Sequence, residues 1–174
     1  MENKTILFVD LDGTLINTIS GKIFPEHIFD FKINKELLDN IKIKLPKIEY
    51  LCVVSNQGGI EEGYVEDKEF RIKMLAIFHL IEYYMKDDYD LTIGFRYCSS
   101  NDKQNKFRKP NTAMLIDFLE KETKYTDGKW NREKYTMLMI GDASGKEGQF
   151  SDSDKKCAEN FGIDYIDVED FINE

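Results

Sequence analysis

Five short runs of apolar residues alternate with amphipathic segments along the chain. The apolar runs predict strands at residues 5–10, 49–55, 91–98, 135–141 and 163–166. The amphipathic segments predict helices at residues 34–45, 67–85, 112–121 and 152–161. A chain in which strands and helices alternate folds as an α/β protein around a parallel sheet. We therefore expect one such sheet in a single domain that spans residues 1–174.

The helix boundaries are predicted from their capping residues. Asn34 is suited to cap the first helix and Ser151 the last, while Gly162 is suited to end the last one. The second helix has an apolar face of residues at helical spacing: Phe70, Met74, Ile77, Phe78, Ile81 and Met85. His79 is predicted to lie in the core or at its boundary, because it falls within this face.

Composition limits the class of protein. Of the 174 residues, 41% are hydrophobic and 13% aromatic, which excludes a disordered chain. The three cysteines are widely separated and odd in number, so we expect reduced thiols rather than disulfides or a cysteine metal site: Cys52, Cys98 and Cys157. The sequence begins with no signal-peptide pattern, and no apolar run approaches about 18 residues. We expect a cytoplasmic protein that does not insert into a membrane.

The segment Asp10-Leu11-Asp12-Gly13-Thr14 directly follows the first predicted strand. Its two carboxylates are one residue apart, and a chain that leaves the strand through Gly13 can curl so that both approach one metal and one phosphate. Open α/β sheets bind ligands at the carboxyl ends of their strands. The segment therefore predicts a site for phosphoryl chemistry.

Three later segments carry compatible chemistry. The second strand ends in Ser55-Asn56-Gln57-Gly58-Gly59-Ile60, where a hydroxyl and an amide suit a phosphate oxygen. Lys109 stands before Pro110 and a predicted helix, where it can neutralise a phosphoryl group. Asp142 follows Gly141 at the end of the fourth strand and adds a third carboxylate.

In this order, these four segments resemble the motifs of the haloacid dehalogenase (HAD) superfamily of phosphotransferases, from Ile6 to about Phe171. Within it, SNQGGI, RKPNTAM and the stretch from Ile140 to Asp154 are similar to the polynucleotide 3'-phosphatase family, the phosphatase half of polynucleotide kinase/phosphatase. Ala113-Met114 departs from the glycine-methionine pair that is common there. The resemblance implies a three-layer α/β sandwich with a central parallel sheet.

The intervals between the motifs leave no room for an inserted cap domain, so we expect a capless protein or a minimal cap. The segment Leu15 to Phe31 is predicted to be a short flap or, equally, a plain loop with its aromatic residues turned inward. The polar interval Thr123 to Lys134 is predicted to be a loop in which Trp130 anchors on the core.

The residues and the resemblance together imply a mechanism. Asp10 is the expected nucleophile, forming an aspartyl-phosphate, and Asp12 the expected acid and base. Mg²⁺ is the expected cofactor, bound by Asp10, Asp142 and the backbone carbonyl of Asp12. The phosphoryl oxygens are expected to be held by Ser55, Asn56, Lys109 and backbone N–H groups near Gly13 and Gly58.

Two further residues are expected to support this site. Thr14 is predicted to form a local hydrogen bond that braces the turn. Asp154 is predicted to orient Lys109 or the water molecules of the metal; the alternative is a carboxylate that interacts with the helix dipole, the role expected of Asp152.

Three functions fit these residues. The first is removal of a 3'-phosphate from DNA or RNA ends. The second is a small-molecule phosphatase resembling the histidinol-phosphate and heptose-bisphosphate phosphatases. Those proteins often carry a cysteine and histidine zinc loop before the RKP segment, and Cys98 stands alone here, which favours the first. The third is a catalytically silent binding module, and the retained Asp10, Asp12, Lys109 and Asp142 argue against it.

Charge bears on the substrate. The net charge of -9 repels a polyanion at long range. Lys103, Lys106 and Arg108 nevertheless cluster before the third motif, and with Phe107 and Tyr97 they are predicted to form a lip for a single-stranded end; a solvated loop is the alternative. No phosphate loop of the G-x-x-x-x-G-K-[ST] type occurs, so kinase activity in this chain is excluded, and nothing in the sequence supports a separate kinase partner.

Overall fold

A computed structural model describes residues 4–45, 47–85, 91–123 and 135–174. Its strands are β1 (Lys4–Val9), β2 (Ile16–Asn17), β3 (Lys32–Ile33), β4 (Ile48–Asn56), β5 (Thr92–Cys98), β6 (Tyr135–Gly141) and β7 (Asp164–Asp167). Its helices are α1 (Lys35–Lys44), α2 (Gly58–Glu61), α3 (Asp67–Met85), α4 (Ala113–Glu122), α5 (Ser153–Phe161) and α6 (Val168–Asn173). The five predicted sheet strands are confirmed, with ends that differ by at most one residue.

The central sheet has five strands in the order β5-β4-β1-β6-β7, and every pair is parallel. Strand β1 lies in the middle, and its Val9 is opposite Val53 of β4 and Ile140 of β6. The carboxyl ends of these three strands therefore meet at one edge of the sheet. The α/β class and the parallel central sheet are confirmed.

Helices cover both faces of the sheet, which gives three layers. Successive strand residues point to opposite faces, so Leu7 and Val9 pack with α1, α3 and α6 while Ile6 and Phe8 pack with α4 and α5. The strand residues are buried on both faces, which explains why they form continuous apolar runs in the sequence.

The ends of the helices were predicted with mixed success. The Asn34 side chain caps α1 by accepting a hydrogen bond from the Leu37 N–H at 3.1 Å, and Gly162 ends α5 with a φ of 80°. The prediction for Ser151 is wrong: α5 begins at Ser153, and the Ser151 hydroxyl lies one residue too early to cap it, accepting only the Ser153 N–H.

Two other predictions concern His79 and the loop that contains Trp130. His79 is exposed, because it lies on the solvent side of α3 beside Glu82, so its predicted place in the core is wrong. The predicted loop from Thr123 to Lys134 and its Trp130 lie, apart from Thr123, outside the described residues. In the described part of the chain, no helix is long and apolar enough to span a bilayer.

A short flap rises from the sheet edge between β1 and α1. Strands β2 and β3 pair antiparallel at its base. Phe24 is 80% exposed and Phe29 is 54% exposed, while Phe31 packs against the core. Asp30 closes the loop by accepting hydrogen bonds from the Ser20 N–H, the Ser20 hydroxyl and the Glu26 N–H. The segment is therefore a flap, and the inward arrangement holds for Phe31 alone of these three aromatic residues.

Candidate active site

Lys109 and Asp10 form the floor of a cavity at the carboxyl edge of the sheet. The Lys109 Nζ lies 2.5 Å from Asp10 Oδ1 and 2.8 Å from Asp154 Oδ1, and it donates to the Val54 carbonyl at 2.8 Å. Only 3% of Lys109 is exposed. Asp10 and the Val54 carbonyl accept two of the three donors of the ammonium, and Asp154 forms an ion pair with it, so these three oxygens fix the position of the charge.

Asn56 holds the backbone of Lys109. Its Oδ1 accepts the Lys109 N–H at 2.9 Å, and its Nδ2 donates to the Lys109 carbonyl at 3.0 Å. The Lys109–Pro110 peptide bond is cis. The Asn56 side chain therefore positions the backbone of Lys109. It also borders the cavity, and Nδ2 has a second proton, so its predicted phosphate contact stays a prediction.

Three carboxylates meet beside this lysine. Asp10, Asp142 and Asp154 each place one oxygen within 4.8 Å of the others. Glycines make this approach possible. A Cβ on Gly13, whose φ is +83°, would lie 2.1 Å from Asp142 Oδ2, and a Cβ on Gly141 would lie 2.2 Å from Asp154 Oδ2. Any other residue at either position would displace a carboxylate.

The charges in this cluster are not balanced. Burial raises the pKa of Asp10 well above its ordinary value; Lys109 opposes the shift, and Asp154 and Asp142 add to it. Burial, followed by repulsion from Asp154, raises the pKa of Asp142 to about 6. Burial acts to lower the pKa of Lys109, but Asp10 and Asp154 outweigh it and raise that pKa. One ammonium thus faces three carboxylates.

This donor set fits a divalent cation. Carboxylate oxygens are the ligands that Mg²⁺ prefers, and a bound cation offsets the burial and the mutual repulsion that raise the carboxyl pKa values. Asp10 and Asp142 were predicted as ligands, and the structure brings them together. Asp154 joins them and also contacts Lys109, as predicted. Asp152 instead pairs with Lys156 on the surface.

Asp12 stands apart from the three clustered carboxylates. Its side chain is exposed, with Oδ2 accepting from Gln57 Nε2 at 2.6 Å and Oδ1 lying 3.6 Å from Lys73 Nζ. The metal contact predicted for Asp12 uses its backbone carbonyl and stays a prediction. Sequence reasoning assigned no role to Gln57 or Lys73, although a lysine on the apolar face of α3 was a visible signal.

The predicted phosphate-binding groups differ in availability. Ser55 is buried and borders the cavity, and its Oγ accepts from Gln57 Nε2 at 2.7 Å, which leaves the hydroxyl proton free to donate. The Gly13 N–H already donates to the Ile16 carbonyl at 2.9 Å. A Cβ on Gly58 would meet Asn101, so the α-carbon of Gly58 faces that side chain. The Ser55 hydroxyl is placed for phosphate, and contacts from backbone N–H groups near Gly13 and Gly58 stay predictions.

The prediction that the Thr14 hydroxyl braces the turn is wrong. Thr14 is fully buried, and its Oγ1 has no hydrogen-bond partner among the described residues. The brace runs through the backbone, because the Thr14 carbonyl accepts a hydrogen bond from Asn34 Nδ2 at 3.0 Å.

The cavity has a volume of about 610 Å³ and is walled by the loop after Asp142 and by the start of α6. Asp167 holds that loop: its Oδ2 accepts from Ser144 Oγ at 2.7 Å and from Gln149 Nε2 at 2.8 Å. Phe150, at the rim, is 89% exposed. The loop is thus anchored below while its aromatic tip faces solvent.

The predicted basic lip is only partly assembled. Lys103 and Lys106 are exposed, while Arg108 is half-buried and donates to the Ser100 carbonyl at 2.8 Å. Tyr97 is not part of the lip, because it packs against Phe70 beneath α3. None of the three basic side chains borders the cavity in the described structure.

Solved HAD-like phosphatases share this fold. A putative HAD-like phosphatase from Mesorhizobium loti has a TM-score of 0.59 at 19% identity, over 94% of this chain and 71% of that one. D,D-heptose bisphosphate phosphatase from B. bronchiseptica, solved with magnesium and phosphate, has a TM-score of 0.61 at 16% identity, over 93% and 78%. The fold is therefore that of the HAD-like phosphatases.

The Polynucleotide kinase 3 phosphatase family matches residues 5–172, so the chain belongs to this family and is a phosphoric monoester hydrolase of the HAD type. The bifunctional polynucleotide phosphatase/kinase of Schizosaccharomyces pombe is 32% identical over 98% of this chain and 38% of that protein. An uncharacterized 20.8 kDa protein of Autographa californica nuclear polyhedrosis virus is 29% identical, over 94% and 82%.

The histidine biosynthesis bifunctional protein HisB of Legionella pneumophila is 28% identical over 95% of this chain and 41% of that protein. The chain thus spans less than half the length of either bifunctional relative.

Proposed function

We propose that this protein is a Mg²⁺-dependent phosphatase that acts through an aspartyl-phosphate on Asp10 and removes 3'-phosphates from polynucleotide ends. The observation that carries the chemistry is the floor of the cavity, where oxygens of Asp10, Asp142 and Asp154 lie within 4.8 Å of one another and Lys109 pairs with Asp10 and Asp154. Phosphoryl transfer depends mainly on positioning and on offsetting charge, and this floor provides both.

The reaction balances as two displacements at phosphorus. A carboxylate oxygen of Asp10 attacks phosphorus as the bond to the ester oxygen breaks, and Asp12 gives a proton to that oxygen so that an alcohol leaves. Asp12, now ionised, takes a proton from water while the water oxygen attacks phosphorus. The bond to Asp10 breaks, which frees Asp10 and inorganic phosphate.

The chain's own residues prepare these steps. Lys109 places a fixed positive charge beside Asp10, and the Ser55 hydroxyl has a free proton for a phosphoryl oxygen. Asp10, Asp142 and the Asp12 carbonyl would hold the cation, with Asp154 beside them. When bound, Mg²⁺ supplies positive charge that offsets the repulsion between a phosphate dianion and a carboxylate.

The substrate class rests on family membership and on the open rim. Phe150, which borders the cavity, is exposed and leaves access for the end of a long molecule. Among the charged side chains that line the cavity, Lys109 is basic and the others are acidic. We infer that the cavity takes the terminal phosphate, while few backbone phosphates are contacted.

We place the activity in the cytoplasm, in keeping with three unpaired, buried cysteines.

A small-molecule phosphatase is the second candidate, favoured by the similarity to HisB over 95% of the chain. Initial rates distinguish the two candidates. We expect a 3'-phosphorylated oligonucleotide to be hydrolysed far faster than a 5'-phosphorylated one of the same sequence and than a panel of sugar and amino-alcohol phosphates. A preference of orders of magnitude for one metabolite would assign the protein to the second class.

A further inference from the structure

Lys73 occupies a core position of helix α3. The buried residues of this helix are Phe70, Lys73, Met74, Ile77, Ile81 and Met85, so Lys73 replaces an apolar side chain in the stripe. Only 6% of the residue is exposed. Lysine is almost never this buried unless its charge has a partner. The Lys73 ammonium is therefore expected to have a partner of opposite charge.

The partner is Asp12. The Lys73 Nζ lies 3.6 Å from Asp12 Oδ1, and Gln57 Nε2 donates to the other oxygen, Oδ2, at 2.6 Å. Gln57 is itself tied to Ser55 Oγ at 2.7 Å. The two oxygens of one exposed carboxylate are thus approached by donors from two different elements, α3 and the turn after β4.

Asp12 needs such support because half of its side chain is exposed, at 51%. An exposed carboxylate with free rotamers spends little time where it can exchange a proton with the substrate, and a misplacement of about 1 Å can cost about 100-fold in rate. The buried stem of Lys73, fixed by the core, gives its ammonium a constant position from which to act on Asp12.

We propose that Lys73 is a positioning residue that holds the Asp12 carboxylate for proton transfer in both displacements. This inference rests on the proposed function, since it assumes that Asp12 is the acid and base. A purely structural role is the competing explanation, because the Lys73 Nζ also lies 5.8 Å from the centre of the Phe31 ring.

The test is a double-mutant cycle between Lys73→Met and Asp12→Asn, measured with p-nitrophenyl phosphate and with a 3'-phosphorylated oligonucleotide. We expect Lys73→Met to lower kcat by about 10–100-fold with KM changed less than about twofold. In the Asp12→Asn background, the same change should alter the residual rate by less than about twofold. Lys68→Met is the matched control, since Lys68 is exposed on the same helix, and it should keep full activity.

The outcomes separate the two claims. If Asp12→Asn alone keeps the normal rate, the proposed function fails whatever Lys73 does. If Asp12→Asn is impaired, equal losses from Lys73→Met in both backgrounds, or no loss in either, overturn the positioning role. Should Lys73→Met fail to fold, Lys73→Gln takes its place, because it keeps a polar side chain but removes the charge. Its loss of kcat should likewise disappear in the Asp12→Asn background, and an equal loss in both backgrounds would overturn the positioning role.

Discussion

The floor of the cavity and its rim are built in opposite ways. On the floor, Lys109 is 3% exposed and Asp154 is 1% exposed, and each is held by several contacts. At the rim, Phe150 is 89% exposed. The residues of the floor are held in place for the reaction, whereas the exposed rim leaves room for substrates of different size. Changes to the two regions should therefore affect different kinetic constants.

The largest effect is expected from Asp10→Asn. The amide keeps the size of the side chain but lacks the nucleophilic oxygen, so turnover should fall by several decades while the melting temperature hardly changes. Turnover and thermal melts measure the two effects. Asp152→Asn is the control, since Asp152 is a surface carboxylate that pairs with Lys156. Residual activity above about a tenth of the wild-type rate would remove Asp10 from the nucleophile role.

Removal of the metal should act on the same region. A chelator should abolish activity and Mg²⁺ should restore it, whereas Ca²⁺, with longer and looser coordination, should inhibit. Asp142→Ala should raise the Mg²⁺ concentration needed for half-maximal rate, because one of the three clustered carboxylates is lost. Titration of the rate with Mg²⁺ measures this. Full activity in excess chelator would contradict the assignment of the floor as a metal site.

Without bound metal, the free energy of unfolding should also decrease as the pH rises. The pKa of Asp142 is raised to about 6 in the folded protein, above the unfolded value of about 4. The ionised carboxylate is therefore disfavoured in the folded state, and stability is lost as the pH rises from about 4 to about 6.

Asp142→Asn removes this loss, so in chelator near pH 7 it should melt above the wild type. A gain of about 1 kcal/mol would raise Tm by roughly 2–4 °C in a domain of this size. The two melting curves should converge near pH 4, where the wild-type carboxyl is protonated. A wild-type protein that stays the more stable across this range without metal would show that burial and the neighbouring carboxylates do not disfavour ionised Asp142 in the folded state.

The smallest effect is expected outside the cavity, at the exposed loop that carries Lys103 and Lys106. If Lys103 and Lys106 contact an oligonucleotide, kcat/KM should fall with salt by a log-log slope of order -0.7 per phosphate contact. Neutralising both lysines should flatten that slope and raise KM for the oligonucleotide. Hydrolysis of a small phosphate ester should stay the same, because neither lysine borders the cavity. Equal losses on both substrates would mean that these lysines support the floor.

The floor could largely be predicted from the sequence because each of its residues follows an apolar strand or opens a helix. Asp10, Ser55 and Asp142 lie at the ends of neighbouring parallel strands, and topology alone brings them together. The roles of Asn56 and Thr14 could not be predicted in this way. Which atom a short polar side chain bonds depends on where the backbone of Lys109 or Asn34 passes, and residue spacing does not contain that information.

The role of Lys73 could not be predicted from the sequence for a related reason. Its helical position indicates the core, while its charge indicates the surface, and only the position of Asp12 resolves the conflict. The loop that carries Lys103 and Lys106 is the least predictable region. The exposure of these side chains follows from their polarity, but their distance from the cavity depends on the path of the loop.

The most direct test of the central claim is to trap the phosphorylated protein. Asp12→Asn should form the aspartyl-phosphate from p-nitrophenyl phosphate but hydrolyse it slowly, because no base activates water. After acid quenching, mass spectrometry should then find one phosphoryl group on the peptide that contains Asp10, and none when Asp10→Asn is added. A fully active protein with no protein-bound phosphate at any time, or with the phosphoryl group on another residue, would contradict the account.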